Sequence, residues 1–166
     1  MKRNPITILY VLLSAYIYVL LRESGHLLVG LTLKMPLTSD WTYRILPAFA
    51  VDAAATGNIR GRSMIILAGP AATLIAGYVL ILLMVRGNRP DKRPLRLISG
   101  LTCYLALILD PIYFAVVPLA RLGGEPERLA SLLDVEATPM VAAALVILVV
   151  NLILIRTRLV PFLKAP

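Results

Sequence analysis

The sequence predicts an all-α integral membrane bundle of about four transmembrane helices, with a short β-strand element in the first loop. Three observations predict it. First, 59% of the 166 residues are hydrophobic and the mean hydropathy is +0.84, far above a soluble globular average. Second, the apolar residues fall in long blocks rather than in period-2 or period-3.6 patterns, which is the pattern of membrane spans. Third, the longest loop contains "DWTYRILPAFAVD", rich in aromatic and β-branched residues and broken by Pro47.

Four blocks qualify as spans: Pro5–Leu33, Ser63–Val85, Leu97–Leu119 and Met140–Ile155. A span needs roughly 20 apolar residues. The first block is therefore overlong, and the fourth is short unless its flanks contribute. Lys2 and Arg3 ahead of an apolar run resemble a signal peptide, but no small-residue cleavage site follows, so the first block reads as a retained span.

Between the spans, Lys34 to Arg62 is the longest loop. Its residues 41–52 read as one or two short strands near the membrane surface, and "ATGNIRGR" closes it with turn residues. Arg86 to Arg96 is a short charged turn, which makes the second and third spans antiparallel neighbours. Gly123 to Thr138 carries Pro126 at a helix-start position and leucines at 129, 132 and 133, the marks of a short amphipathic helix on the interface. The whole chain, 1–166, reads as a single membrane domain.

The net charge of +8 does not call for nucleic acid, because Lys and Arg cluster at span ends, as lipid-facing anchors do. The N-terminus, the 86–96 loop and the C-terminal tail hold 10 of them, against 6 in the other two loops. That bias places both termini in the cytoplasm. The single cysteine, Cys103, excludes an internal disulfide and a cysteine-based zinc site, and reads as a small core residue.

The polar residues inside the spans carry the functional signal. A charged side chain at mid-span costs roughly 2.5–3.5 kcal/mol on insertion scales, so such residues usually face a bundle interior and pair. Arg22, Glu23 and His26 lie on adjacent turns of the first span, with Arg22 and His26 at i,i+4 and Glu23 and His26 at i,i+3. All three can project toward one side. Asp110, midway along the third span, is the only other acidic residue inside one. Asp110 is expected to meet the cluster across a helix–helix interface. Arg22 lies about 24 Å along its helix from Ile6, so snorkelling to the far interface is its bland alternative. Asp110 is too short to snorkel.

Three segments in order resemble the site-2 proteases, intramembrane zinc metalloproteases. "RESGH" at 22–26 resembles their His-Glu-x-x-His motif with one letter changed. "ILAGPAATLIAG" at 66–77 looks like their Ala-Gly-Pro-x-x-Asn segment, and "LILDPIYFAVVP" at 107–118 like the helix whose Leu-Asp motif supplies the last zinc ligand. The resemblance covers residues 5–120, leaving 121–166 as an added interfacial helix and span. It implies peptide hydrolysis inside the bilayer, with transmembrane protein segments as substrates or clients. Zn²⁺ is the implied cofactor, with His26 and Asp110 as ligands and Glu23 as general base. Gly69, Pro70 and the residue at 73 would position substrate, and the strand-bearing loop would pair with an unwound substrate segment.

Two positions depart from the family pattern. The first histidine ligand falls on Arg22, whose guanidinium stays protonated and offers only donors. No other histidine exists in the chain, and catalytic zinc sites usually have three protein ligands. A guanidinium forked onto a carboxylate would satisfy both groups in the bilayer, so Arg22 is expected to stand in for the metal as a permanent cation. The family's asparagine is replaced by Thr73, a shorter donor. The expected function is thus a site-2-protease-like protein that is impaired or inactive in hydrolysis. Three readings stay open: an active zinc protease with an altered ligand set, a non-catalytic binder of transmembrane clients, and a small transporter using Glu23, His26 and Asp110 as a proton relay.

Other features have structural readings. Glu23-x-x-His26 also fits a di-iron bundle unit, but that fold needs two such units. Ala68, Ala72 and Ala76 form a small-residue stripe suited to close helix packing, and Asn151 suits an interhelical hydrogen bond.

Overall fold

The computed structural model describes residues 5–34, 37–40, 48–51, 59–86 and 93–164. Helix α1 (Pro5–Thr32) is followed by strands β1 (Leu37–Asp40) and β2 (Ala48–Val51). Then come α2 (Ile59–Val85), α3 (Arg93–Ala120), the short α4 (Glu125–Leu133) and α5 (Ala137–Leu154). A π-helical turn, Ile155–Leu159, continues α5 into α6 (Val160–Lys164). Among the described residues, four helices are long and apolar enough to cross a membrane: α1, α2, α3, and α5 extended to Leu163. The protein is an integral membrane bundle.

The spans run further than the apolar blocks. Helix α2 starts at Ile59 and α3 at Arg93, so Arg60, Arg62, Arg93 and Arg96 belong to helices rather than to loops. Long basic side chains at helix ends reach the interface while the backbone stays helical. The fourth span gains its missing length from the π turn, which carries Arg156 and Arg158. In the loop, β1 and β2 pair antiparallel with Leu37 opposite Val51 and Asp40 opposite Ala48. The strand element is therefore present, but β1 precedes the stretch expected to carry it, and residues 41–47 lie outside those described.

Burial is arranged for lipid outside and packing inside. Leu9, Leu12, Leu28, Ile75 and Val146 are exposed on span surfaces, which in a bilayer face hydrocarbon. The core lies between α2, α3, the π-helical turn and α6, around Cys103, Leu107, Ile81, Leu159 and Phe162. Cys103 is fully buried and its thiol points at the Gly77 carbonyl, 3.4 Å away.

Small and polar residues fix how the spans cross. Gly25 brings α1 onto α2 so closely that a Cβ there would collide with the Ala68 carbonyl oxygen and with Ala72. That contact involves the small-residue stripe of α2. Ser14, fully buried, donates toward the backbone carbonyls of Tyr10 and, at 3.3 Å, Ile98 on α3. Pro111 has no N–H, so the Leu107 carbonyl one turn earlier loses its helical donor. Asn151 on α5 replaces it, donating from Nδ2 at 2.7 Å, while its Oδ1 accepts from the Tyr78 hydroxyl of α2. One amide thus ties three spans.

Candidate functional site

The polar cluster forms where α1, α3 and α4 converge. Arg22 and Asp110 each lie seventeen residues past the start of their helix, so the two reach the same depth. Arg22 Nε donates to Asp110 Oδ1 at 3.2 Å. The expected meeting of Asp110 with the first-span cluster is what the fold builds.

Asp110 is 2% exposed, and both of its oxygens are engaged. Oδ1 takes the Arg22 bond, and Oδ2 lies 2.5 Å from Thr73 Oγ1 on α2. The hydroxyl has one proton to give, and the shortest of its contacts is to this carboxylate; the Pro70 carbonyl is 2.9 Å away. Thr73, fully buried, is therefore a donor to Asp110.

The guanidinium does not fork onto one carboxylate as expected. It divides among carboxylates from different elements: Nε to Asp110, Nη2 to Glu125 Oε2 of α4, and Nη1 at 3.9 Å from Glu23 Oε1. Its Cζ lies 5.9 Å from the centre of the Tyr113 ring, within cation–π range. Two hydrogen bonds and a longer ion pair, spread over three carboxylates, are a use of guanidinium geometry that lysine cannot copy. The side chain is 19% exposed and turned into the bundle, so it does not snorkel.

His26 is buried against α2. Its Nδ1 lies 2.8 Å from the Ile65 carbonyl oxygen. A carbonyl only accepts, so Nδ1 carries a proton and donates it to this oxygen. Nε2 is buried and has no hydrogen-bond partner among the described residues, and Glu125 Oε1 stands 3.7 Å from it. Gly69 makes room for the ring: a Cβ at 69 would overlap Nε2, with Cε1 2.8 Å away. Pro70 is buried beside it and lines a neighbouring cavity.

Glu125 was not foreseen as a site residue. It opens α4, whose first turn is set by the Gly123–Gly124 pair (φ 69° and 148°) and by Pro126. Its backbone N–H donates to the Tyr113 hydroxyl at 3.3 Å. Pro126, Leu129 and Ala130 form the buried face of α4, while Leu133 is exposed.

Two cavities meet at Asp110. One, of about 580 Å³, is bordered by Tyr18, Arg22, Tyr113, Val117 and Glu125. The other, of about 370 Å³, is apolar and bordered by Leu67, Pro70, Phe114, Leu129 and Ile147. Helix α4 contributes to both, Glu125 to the first and Leu129 to the second.

The donor set does not suit a zinc ion. Among the described residues no group of three His, Cys, Asp or Glu side chains is arranged to hold a metal. Asp110 spends both oxygens on Arg22 and Thr73, and a fixed cation beside the site opposes a second.

Compared with known protein families, curated proteins and solved structures, the chain finds no match.

Proposed function

We propose that this chain is a site-2-protease-like membrane protein in which zinc-dependent peptide hydrolysis is impaired or lost, and that it binds transmembrane segments of other proteins without cutting them. The observation that carries the reading is the placement of Arg22. At the position where the family has its first histidine ligand, a guanidinium bonds Asp110 and Glu125 and lies near Glu23. A metal's balancing charge is supplied by a side chain instead.

Support for the family half of the reading is the order of motifs together with their convergence. Glu23 and His26, Gly69–Pro70–Thr73 and Asp110 come from three spans and gather around one point. In this reading Glu23 keeps the general-base position without a metal-bound water to act on. The charge bias of the loops supports cytoplasmic termini.

The competing reading, hydrolysis with an altered ligand set, draws on one observation: His26 Nε2 has no hydrogen-bond partner among the described residues and faces Glu125 Oε1. It requires Glu125 to leave Arg22 and join His26 on zinc. The two readings separate on metal content and on cleavage. A purified wild type that binds no zinc, retains a transmembrane client and leaves it intact supports the proposal. Zinc uptake, with client cleavage lost in Glu23→Gln, supports the competitor.

A further inference from the structure

We propose that α4 is a lid latched by the Arg22–Glu125 ion pair, and that releasing the latch opens both of the cavities that α4 helps to close. This goes beyond the functional reading above and does not depend on it.

Four observations carry it. The first is position: α4 borders both cavities, with Glu125 on the polar one and Leu129 on the apolar one. Moving this one helix takes a wall from each of them. The second is attachment. The N-terminal end of α4 is fixed by charge and hydrogen bonds, Glu125 Oε2 to Arg22 Nη2 and the Glu125 N–H to the Tyr113 hydroxyl. The rest is held by a narrow apolar face, Pro126, Leu129 and Ala130.

The third observation is the pair of joints. Gly123 and Gly124 precede α4 with φ of 69° and 148°, and Asp134 follows it with φ of 52°. The two glycines adopt that region without a Cβ penalty. A nine-residue helix between such joints can swing as a unit while α3 and α5 stay packed. The fourth is the Arg22 side of the latch. Arg22 also holds Asp110, so the guanidinium stays anchored to α3 when Glu125 lets go. Opening then leaves no buried cation unpaired.

The test uses the full chain in lipid vesicles and a water-soluble maleimide. Ala130→Cys places a reporter thiol on the buried face of α4, and native Cys103, fully buried between α2 and α3, reports on the core. Glu125→Gln removes the latch charge and keeps the side chain's shape. Glu127→Gln removes a charge from the same first helical turn without touching the latch. With the latch intact, both thiols should be protected. In the Glu125→Gln background, the thiol at 130 should label roughly ten-fold faster or more, the factor expected from losing a charge-assisted bond. Cys103 should stay protected, and Glu127→Gln should label at the background rate. Three results would overturn the proposal: no acceleration in Glu125→Gln, equal acceleration in Glu127→Gln, or labelling of Cys103 together with the reporter. The last would mean that the bundle loosens as a whole.

Discussion

Arg22 Nε and Asp110 Oδ1 lie 3.2 Å apart, one on α1 and one on α3, and this ion pair is the hub of the polar cluster. Breaking a buried pair by removing one partner leaves an uncompensated charge, at about 3–5 kcal/mol. Arg22→Ala is therefore expected to lower unfolding stability in detergent by an amount near that range, because Asp110 is almost wholly buried. Arg22→Lys should recover part of the loss, since it restores the charge but not the three-way fork. Thermal melting of the three proteins checks this, and an Arg22→Ala that melts like wild type contradicts it.

Thr73 supplies the second bond to the same carboxylate. Thr73→Val keeps the volume and removes one donor from the buried Asp110 carboxylate. The expected loss is about 1–3 kcal/mol. Thr73→Ser keeps the hydroxyl and should lie closer to wild type. The ordering Ser above Val in denaturant midpoint is the result to look for.

Close approach makes a different prediction. Gly25→Ala and Gly69→Ala each drive a Cβ into a fixed neighbour, the Ala68 backbone and the His26 ring respectively. Overpacking of this kind costs about 1–3 kcal/mol. Among the described residues, Gly61→Ala meets nothing nearer than 3.6 Å and should be tolerated. A stability ranking of the three single variants checks it.

The span core should be as sensitive at Asn151 as at the site. Asn151→Leu orphans the Leu107 carbonyl, already deprived of its helical donor by Pro111, along with the Tyr78 hydroxyl. Tyr78→Phe takes the donor from Asn151 Oδ1 but leaves the Asn151 bond to the Leu107 carbonyl in place. The leucine variant should therefore be the less stable of the two, and equal melting temperatures would contradict the assignment.

Much of this arrangement was legible in the sequence. Arg22, Glu23, His26 and Asp110 are conspicuous because ionisable groups in apolar spans need partners. Thr73 and Gly69 were singled out through the resemblance, and the contacts they make, a hydroxyl on Asp110 and space for the His26 ring, need the folded bundle to be seen. Glu125 was not legible. A glutamate in a polar loop is ordinary, and nothing local marks it as a partner for a residue 103 positions away. The available signal was indirect: Gly-Gly-Glu-Pro starts a helix a few residues after the Asp110 span ends, which limits how far α4 can lie from that span. The span ends were misjudged because hydropathy stops at the first charge, whereas arginine at a helix end keeps the helix and extends its head to the interface.

The central claim is that Arg22 occupies the place of a metal. Zinc content per chain, measured on purified wild type beside Arg22→His, tests it most directly. The account predicts no stoichiometric zinc in wild type and uptake in Arg22→His, where a second imidazole joins His26 and frees Asp110. Stoichiometric zinc in wild type, or none in either protein, would contradict it.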